Sequence, residues 1–436
     1  MGIDLPTNVA EAQVSTVREI YETGIAVNST ADEKGFVELL GYTTGMANPR
    51  ARIVGGKRPL STVGAVARFV WLVSGSDRLE DIAYYESRVR TYTDDGLSVP
   101  GSSYGKRIFN ASPGTNQMRG VVEELQKNPD SRRAAAVVWL PEDAVRQSND
   151  IPCTFGLFFH IRDGALTMTT VMRSNNAVTL IPYNFFEFSM IGEMVAAEVG
   201  VPFERYVHWA ASMHTIDEQS VPRDQVLAIT DPEAIEMPAM PVGDALAKAY
   251  ALAQFEARLR HAGTHAELEH VAAEARETLG DYWAGLFNVL YVHGLARRGL
   301  EAQTWVEFAQ VPEHFQVGAR SSLERVLKDV LGDKLDTTYE SDSLFSLDVI
   351  EPLAAGSAAR VAAVASQAAD TDWVVAGLQA LSTVEHPVTL EEVVAVRDLL
   401  RRHDVTLAAR GAASASELTE SDVADALASV RSNGGS

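Results

Sequence analysis

The sequence predicts a mixed α/β domain of the α+β kind followed by a helical region, and three observations carry that prediction. Strand-like and helix-like patterns alternate from about residue 10 to about residue 230. A hairpin signal sits inside that stretch, where two apolar runs are split by Arg162-Asp163-Gly164. From about Gly243 the texture changes to Ala-, Leu- and Glu-rich segments with helical spacing. These divide the chain into a mixed α/β domain over 1–235 and a helical C-terminal domain over 236–436.

In chain order, Gly64–Val73 and Met118–Gln126 read as helices, and Ser131–Leu140 reads as a strand. Thr154–Thr170 is a pair of strands around the Asp163-Gly164 turn. Asn184–Val199 is a helix closed by Gly200, which can adopt the left-handed conformation a helix end needs. Asp231–Pro241 holds three prolines that deny a long helix, so it is a linker or an edge crossing. Leu252, Phe255 and Leu259 follow at helical spacing, as do Trp283, Phe287 and Leu290, which we assign to the core. Val393, Val396 and Leu400 continue the pattern behind a Thr389/Glu392 capping box, and Ser432–Ser436 is a frayed tail. No internal repeat is present.

With 436 residues, 46% of them hydrophobic, the chain can fill one large core or two. A formal net charge of −22 repels nucleic acid and anionic membrane surfaces, so any phosphate site must be a local cluster of arginines. One cysteine excludes an intramolecular disulfide and a multi-thiolate zinc site, and with no apolar leader it points to the cytoplasm. No apolar run reaches the roughly 20 residues that span a bilayer, so no membrane role is expected.

The densest chemical signal lies between Asp130 and Asp217. Cys153 precedes a strand, with Arg132 and Arg133 on a neighbouring predicted strand and Arg173-Ser174 at the end of the hairpin's second arm. Arginines near a thiol lower its pKa and favour the nucleophilic thiolate, whereas a buried structural cysteine is the other reading of the same residue. Guanidinium forks and a serine hydroxyl suit a phosphate monoester. Strand alternation would send Arg132 and Arg133 to opposite faces, so one of them would serve a neighbouring subunit.

At this point Asp130-Ser131-Arg132-Arg133, Pro152-Cys153, Arg162-Asp163-Gly164, Arg173-Ser174-Asn175-Asn176, Pro182-Tyr183-Asn184 and Ser212-Met213-His214 together resemble the thymidylate synthase superfamily. Trp71 and Tyr104-Gly105-Lys106 fit the same order upstream, so the resemblance covers about the first half of the chain. The Met172-Arg173-Ser174 and Pro152-Cys153-Thr154 forms look more like the branch that hydroxymethylates pyrimidine nucleotides. The resemblance implies a mixed sheet with surrounding helices, a homodimer, and a thiolate at Cys153 that adds to C6 of a pyrimidine nucleoside monophosphate. C5 then attacks the one-carbon unit of methylenetetrahydrofolate. It also implies that Arg132, Arg133, Arg173 and Ser174 hold the 5′-phosphate, two of the arginines crossing from the other subunit. Asn184 would read the base edge and favours uracil, His214 would contact the sugar hydroxyl, and Tyr104 would stand near the reacting centre; for His214 and Tyr104 a structural hydrogen bond is the other reading.

Four positions depart from the family pattern. Arg68 stands at the catalytic centre where the family carries a Glu that relays protons to the base, and an arginine cannot do acid–base work. Asn176 takes the place of an Asp that bonds the pterin, and Leu180 that of a Gly at the floor beneath base and folate. Ile216 replaces a Tyr that joins the histidine on the sugar, leaving deoxyribose and ribose undistinguished. The reading is C5 hydroxymethylation of a uracil nucleotide; the alternatives are C5 methylation, and a folate-independent or non-catalytic nucleotide-binding homologue. Gly101–Arg107 lacks the spacing and the hydroxyl of a P-loop, and His261, His265 and Glu269 read as a solvated polar face, not a metal site.

Overall fold

The computed structural model describes residues 4–28, 35–111 and 115–332. Its strands are β1 (Ile25–Val27), β2 (Phe36–Met46), β3 (Ile53–Val54), β4 (Ala135–Val137), β5 (Thr154–Arg162), β6 (Ala165–Asn176), β7 (Phe203–Ile216) and β8 (Ala234–Ile235). The helices are α1 (Val9–Thr23), α2 (Thr62–Ser74), α3 (Leu79–Ala83), α4 (Tyr104–Ile108), α5 (Gln117–Lys127), α6 (Ile181–Val199), α7 (Ser220–Leu227), α8 (Ala245–His261), α9 (His265–Leu279), α10 (Asp281–Arg297), α11 (Glu301–Phe308) and α12 (Glu313–Leu331). The expected Thr389/Glu392 capping box, the Val393, Val396 and Leu400 helix and the Ser432–Ser436 tail lie outside the described residues.

The main sheet runs β1-β2-β7-β6-β5-β4, with β6 and β7 parallel and every other pair antiparallel. The β5–β6 hairpin turns at Asp163 (φ 53°) and Gly164 (φ 80°), the left-handed pair that a two-residue turn needs to match the strand twist. Parallel strands require a long crossover, and α6 is that crossover between β6 and β7. It ends at Gly200 (φ 74°) as its sequence announces.

Helix α6 is buried on nearly every side, so the charged residues on it need partners. Glu187 faces Arg68, and Glu193 pairs with the fully buried Arg52. One face of the sheet packs Leu157, Phe159, Met168 and Tyr206 into this core. The other face leaves Phe158 41% exposed, and Phe155, at a register irregularity of β5, is 42% exposed with Trp139 stacked on it at 4.7 Å.

Two expectations change, the strand over Ser131–Leu140 and the shared helix of His261 and His265, and one is narrowed. The strand expected over Ser131–Leu140 shrinks to β4, so Arg132 and Arg133 precede it, both exposed, and do not alternate across a pleat. Asp231–Pro241 is an edge crossing, because β8 pairs with β3 and Met237 and Met240 are buried. His261 ends α8 and His265 begins α9, so the two do not share a helix.

The chain forms two compact units. The first is the described part of residues 4–263 with Glu267–Leu290 and Pro312–Ser322, and it holds the sheet, α8 with buried Leu252, Phe255 and Leu259, and buried Trp283, Phe287 and Leu290. The second is Thr264–Ala266, Tyr291–Val311 and residues 323–332, where Thr304 Oγ1 donates to the Leu300 carbonyl at 2.8 Å. No described helix is long and apolar enough to cross a membrane.

Candidate active site

The site lies at the carboxyl ends of β6 and β7, where the chain turns into the crossover helix, the place open α/β arrangements leave for ligands. Register brings distant motifs together there. Ser174 pairs with Ser212 and Asn176 with His214 across the parallel strands, while Met172 pairs with Thr154 at the start of β5. A register irregularity between Thr154 and Gly156 interrupts the β5 ladder at that point, beside Cys153.

Arg173 secures the segment that carries the cysteine. Its backbone N–H donates to the Cys153 carbonyl at 2.7 Å, its Nε to the Pro152 carbonyl at 2.8 Å and its Nη2 to the Ile151 carbonyl at 3.1 Å. The guanidinium is otherwise exposed, so it can offer further N–H groups to an anion. On the other side, the buried Asp150 carboxylate accepts from the Gly101 and Ser102 N–H groups at 2.8 and 2.6 Å, tying the loop ahead of α4 to the cysteine segment. Gly105 lets α4 close on α2: a Cβ there would stand 1.9 Å from the Leu72 carbonyl oxygen. That approach seats the buried Tyr104, its ring stacked on Phe188 at 6.1 Å.

The thiol does not follow the sequence expectation. Burial pushes the Cys153 thiol up from its ordinary value and Asp150 adds to this, while Arg173 pulls it down without prevailing. Burial also raises the Tyr104 phenol, with the neighbouring Cys153 reinforcing it, so Tyr104 is a proton donor at neutral pH.

Asn184 is buried and its Nδ2 donates to Asn175 Oδ1 at 2.6 Å, which orients the amide and leaves Oδ1 as its acceptor. Ser174 Oγ lies 3.3 Å from His214 Nδ1, and the Phe36 ring meets the His214 ring edge-on at 5.9 Å. Asn176 is engaged within its own turn: Oδ1 accepts from the Val178 and Thr179 N–H groups, both at 3.0 Å, and Nδ2 donates to Gln219 Oε1 at 2.9 Å. Leu180 is the half-buried residue before the first turn of α6. Ile216 is the last residue of β7, opposite Phe36.

Arg68 projects from α2 between two carboxylates, with Nη1 3.4 Å from Glu86 and Nη2 3.4 Å from Glu187, and it lies over the Tyr183 ring at 5.6 Å. Gly64, one turn earlier on α2, keeps the space open: a Cβ there would meet Glu86 Oε1 at 2.8 Å and Tyr183 at 3.3 Å. Glu86, Glu187 and Asp150 stand beside these residues without having been singled out in the sequence, and Asn175 was named there only as part of its motif. For Glu187 the signal was available, since an acidic residue in the apolar run Phe185-Phe186-Glu187-Phe188 needs a buried partner.

Arg132 and Arg133 do not join these residues within one chain. The Phe159 N–H donates to the Ala134 carbonyl, which places both arginines toward the far end of β5, roughly 17 Å of strand from Thr154 at ~3.3 Å per residue. A groove of about 850 Å³ lined by Arg50, Glu193, Phe203 and Arg205 lies at the opposite end of α6 and contains none of the residues above.

The sequence pattern of the family described as Thymidylate synthase matches residues 13–257. The chain belongs to the thymidylate synthase family. As a member it is a one-carbon transferase, and the sheet with its β6–α6–β7 crossover is the family's mixed sheet. A Methanosarcina acetivorans protein named "Putative thymidylate synthase" is 34% identical over 148 residues, 33% of this chain and 68% of that protein. A "Deoxyuridylate hydroxymethyltransferase" of Pseudomonas phage M6 is 34% identical over 152 residues, 34% of this chain and 43% of its own length. The protein of the same name from Bacillus phage SP01 is 29% identical over 161 residues, 34% of this chain and 42% of its own. This chain therefore spans less than half of each phage relative.

Proposed function

We propose that the protein hydroxymethylates C5 of a uracil nucleoside 5′-monophosphate through a covalent bond between Cys153 and C6 of the base. The observation that carries this reading is the convergence, in one chain, of Cys153, the Arg173 clamp and the buried amide of Asn184 at the carboxyl end of β6. Sγ adds to C6, and C5 becomes nucleophilic and joins a one-carbon unit at the formaldehyde oxidation level; the C5 hydrogen leaves as a proton, the hydroxyl oxygen comes from water or is carried by the unit, and expulsion of Sγ restores the C5–C6 double bond. The net change is the gain of CH₂O. Two phage relatives named deoxyuridylate hydroxymethyltransferases support this product, and the relatives named thymidylate synthases support methylation as the second reading.

Asn184 supports uracil, because an amide whose Oδ1 is the free acceptor suits N3–H. Arg173 and Ser174 would bind the phosphate, His214 the sugar, and Tyr104 would donate a proton near the reacting carbon. The exposed Phe155 and Phe158 support a homodimer built on the open sheet face, through which a second copy would bring Arg132 and Arg133 to the phosphate.

The family's donor, methylenetetrahydrofolate, does not fit Asn176 and Leu180, the two positions that the resemblance implies would bind it. The Asn176 amide is taken up by Val178, Thr179 and Gln219, and the Leu180 side chain adds bulk where the resemblance implies a Gly. No step of this mechanism is routed through the folate.

Incubating the protein with dUMP, UMP, dCMP and CMP, with methylenetetrahydrofolate, with formaldehyde and with neither, and weighing the products by mass spectrometry tests the reading. A gain of CH₂O on a uracil nucleotide is expected. A gain of CH₂ establishes the methylating reading instead, and an unchanged but bound nucleotide means a binding homologue.

A further inference from the structure

Cys153 addition to a pyrimidine pushes electrons toward the C4 oxygen, which must then take a proton, and Arg68 has none to give. The cluster around Arg68 holds one cation against two carboxylates, at equal distances of 3.4 Å. Two carboxylates sharing one guanidinium away from water favour a proton on one of them. The Glu187 side chain is 4% exposed and that of Glu86 is 23%, so the proton belongs on Glu187, the less solvated of the two. Burial indeed raises Glu187, Glu86 acts in the same sense, and Arg68 opposes both. Glu187 lies one helical turn from Asn184 on α6, and its charge is felt by the Tyr104 phenol, itself beside Cys153.

We propose that Glu187, held together with Glu86 against Arg68, is the proton carrier of this site, and that it protonates the C4 oxygen of the pyrimidine as Cys153 adds to C6. This rests on the reading that a pyrimidine nucleotide binds covalently at Cys153. In the step, the thiol proton leaves to water, Sγ bonds to C6, and the C5–C6 π pair moves to form the enolate. The Glu187 proton passes to O4, leaving a carboxylate that Arg68 holds. Protonation of C5 by solvent sends the O4 proton back to Glu187, and loss of the original C5 hydrogen to solvent draws it onto O4 again. Expulsion of Sγ, which regains its proton from water, returns the O4 proton to Glu187 and releases the nucleotide with its C5 hydrogen exchanged. The ionisable groups that face Glu187 are Arg68 from α2, Glu86 ahead of the 3₁₀ turn Ser87–Thr91, Tyr104 from α4 and Tyr206 from β7.

The test is exchange of the C5 hydrogen of dUMP and UMP in D₂O, followed by NMR without any one-carbon donor, for the wild type, C153S, E187Q and R68Q. The wild type exchanges and C153S does not. E187Q slows exchange by about 100-fold or more, as loss of a general acid does, while binding dUMP with unchanged affinity by calorimetry. In R68Q the high-pH limb of the rate profile moves to higher pH, because the cation that favours ionised Glu187 is gone; a merely structural Arg68 would not move it. Exchange by E187Q at the wild-type rate overturns the role of Glu187 alone. Absence of exchange in the wild type overturns the covalent reading and this role with it. If E187Q fails to fold, R68Q decides, and an unmoved pH profile overturns the proposal.

Discussion

Two buried arginine–carboxylate clusters in this protein use the same chemistry to opposite ends. At Arg107, one carboxylate serves two cations: Asp143 takes a two-pronged bond from Arg107, Arg146 stands 3.9 Å away, and the Leu140 N–H donates to it at 2.8 Å. Arg107 in turn donates to the Val138 and Pro100 carbonyls at 2.8 and 2.9 Å. Burial alone would raise Asp143, but these bonds outweigh it and hold the carboxyl below its ordinary range. At Arg68 the count is inverted, and Glu187 is held above its range. Burial raises both carboxyls; at Asp143 the bonds from Arg107 and the Leu140 N–H outweigh it, at Glu187 the single shared Arg68 does not, and that balance separates a permanent brace from a group that can hold and release a proton.

The largest expected effect breaks the brace. Asp143→Ala leaves Arg107 buried without its counter-charge and should cost about 3–5 kcal/mol in urea unfolding. In Asp143→Asn the deficit should be full at neutral pH and vanish as acid titrates the wild-type carboxyl, because a depressed carboxylate stabilises only above its folded pKa.

The proton-carrying cluster should respond the other way. Glu187→Gln should lose about 100-fold or more in product formation yet keep its fold. A raised carboxyl binds its proton more tightly in the folded state, so the wild type loses stability as pH rises from the ordinary carboxylate value toward the folded one. Melting curves of Glu187→Gln against wild type should therefore diverge in favour of the variant as pH rises, and a constant difference would show that the carboxyl does not titrate in this interval.

A third arginine sharpens the contrast, since Arg173 is exposed and bonded to carbonyls only. Arg173→Ala should weaken nucleotide binding by about 10- to 100-fold, the worth of a charged hydrogen bond, and unchanged affinity in calorimetry would remove it from the phosphate site. The smallest effect is expected at Asn175. Its replacement by Ala frees the Asn184 amide to turn and should cost about 1 kcal/mol in kcat/KM for the preferred base, narrowing the ratio between uracil and cytosine nucleotides.

Much of the scaffold was legible in the sequence where local chemistry decides. The Asp163-Gly164 turn, the Gly200 stop and the apolar face of α5 each follow from a few adjacent residues. Strand limits were less legible, because a ladder is set by its neighbour. β6 runs on through Asn176 because β7 lies parallel to it, and β4 stops short of Arg132 and Arg133, so their expected alternation never arises. The Cys153 environment shows the same limit: the arginine beside it was readable, but the burial that outweighs it was not.

What the sequence determined by itself was the inventory and its order: one cysteine, the arginine and asparagine motifs, and an arginine where its family carries a carboxylate. Only the tertiary structure decided what that arginine does. Arg68 meets Glu86 18 residues away and Glu187 119 residues away, on an element that reaches it only after β6, β7 and their crossover have formed. Propensity and turn chemistry act over a few bonds and can be read in order along a chain, whereas the charge a group carries depends on distances and desolvation that exist only once the chain is folded.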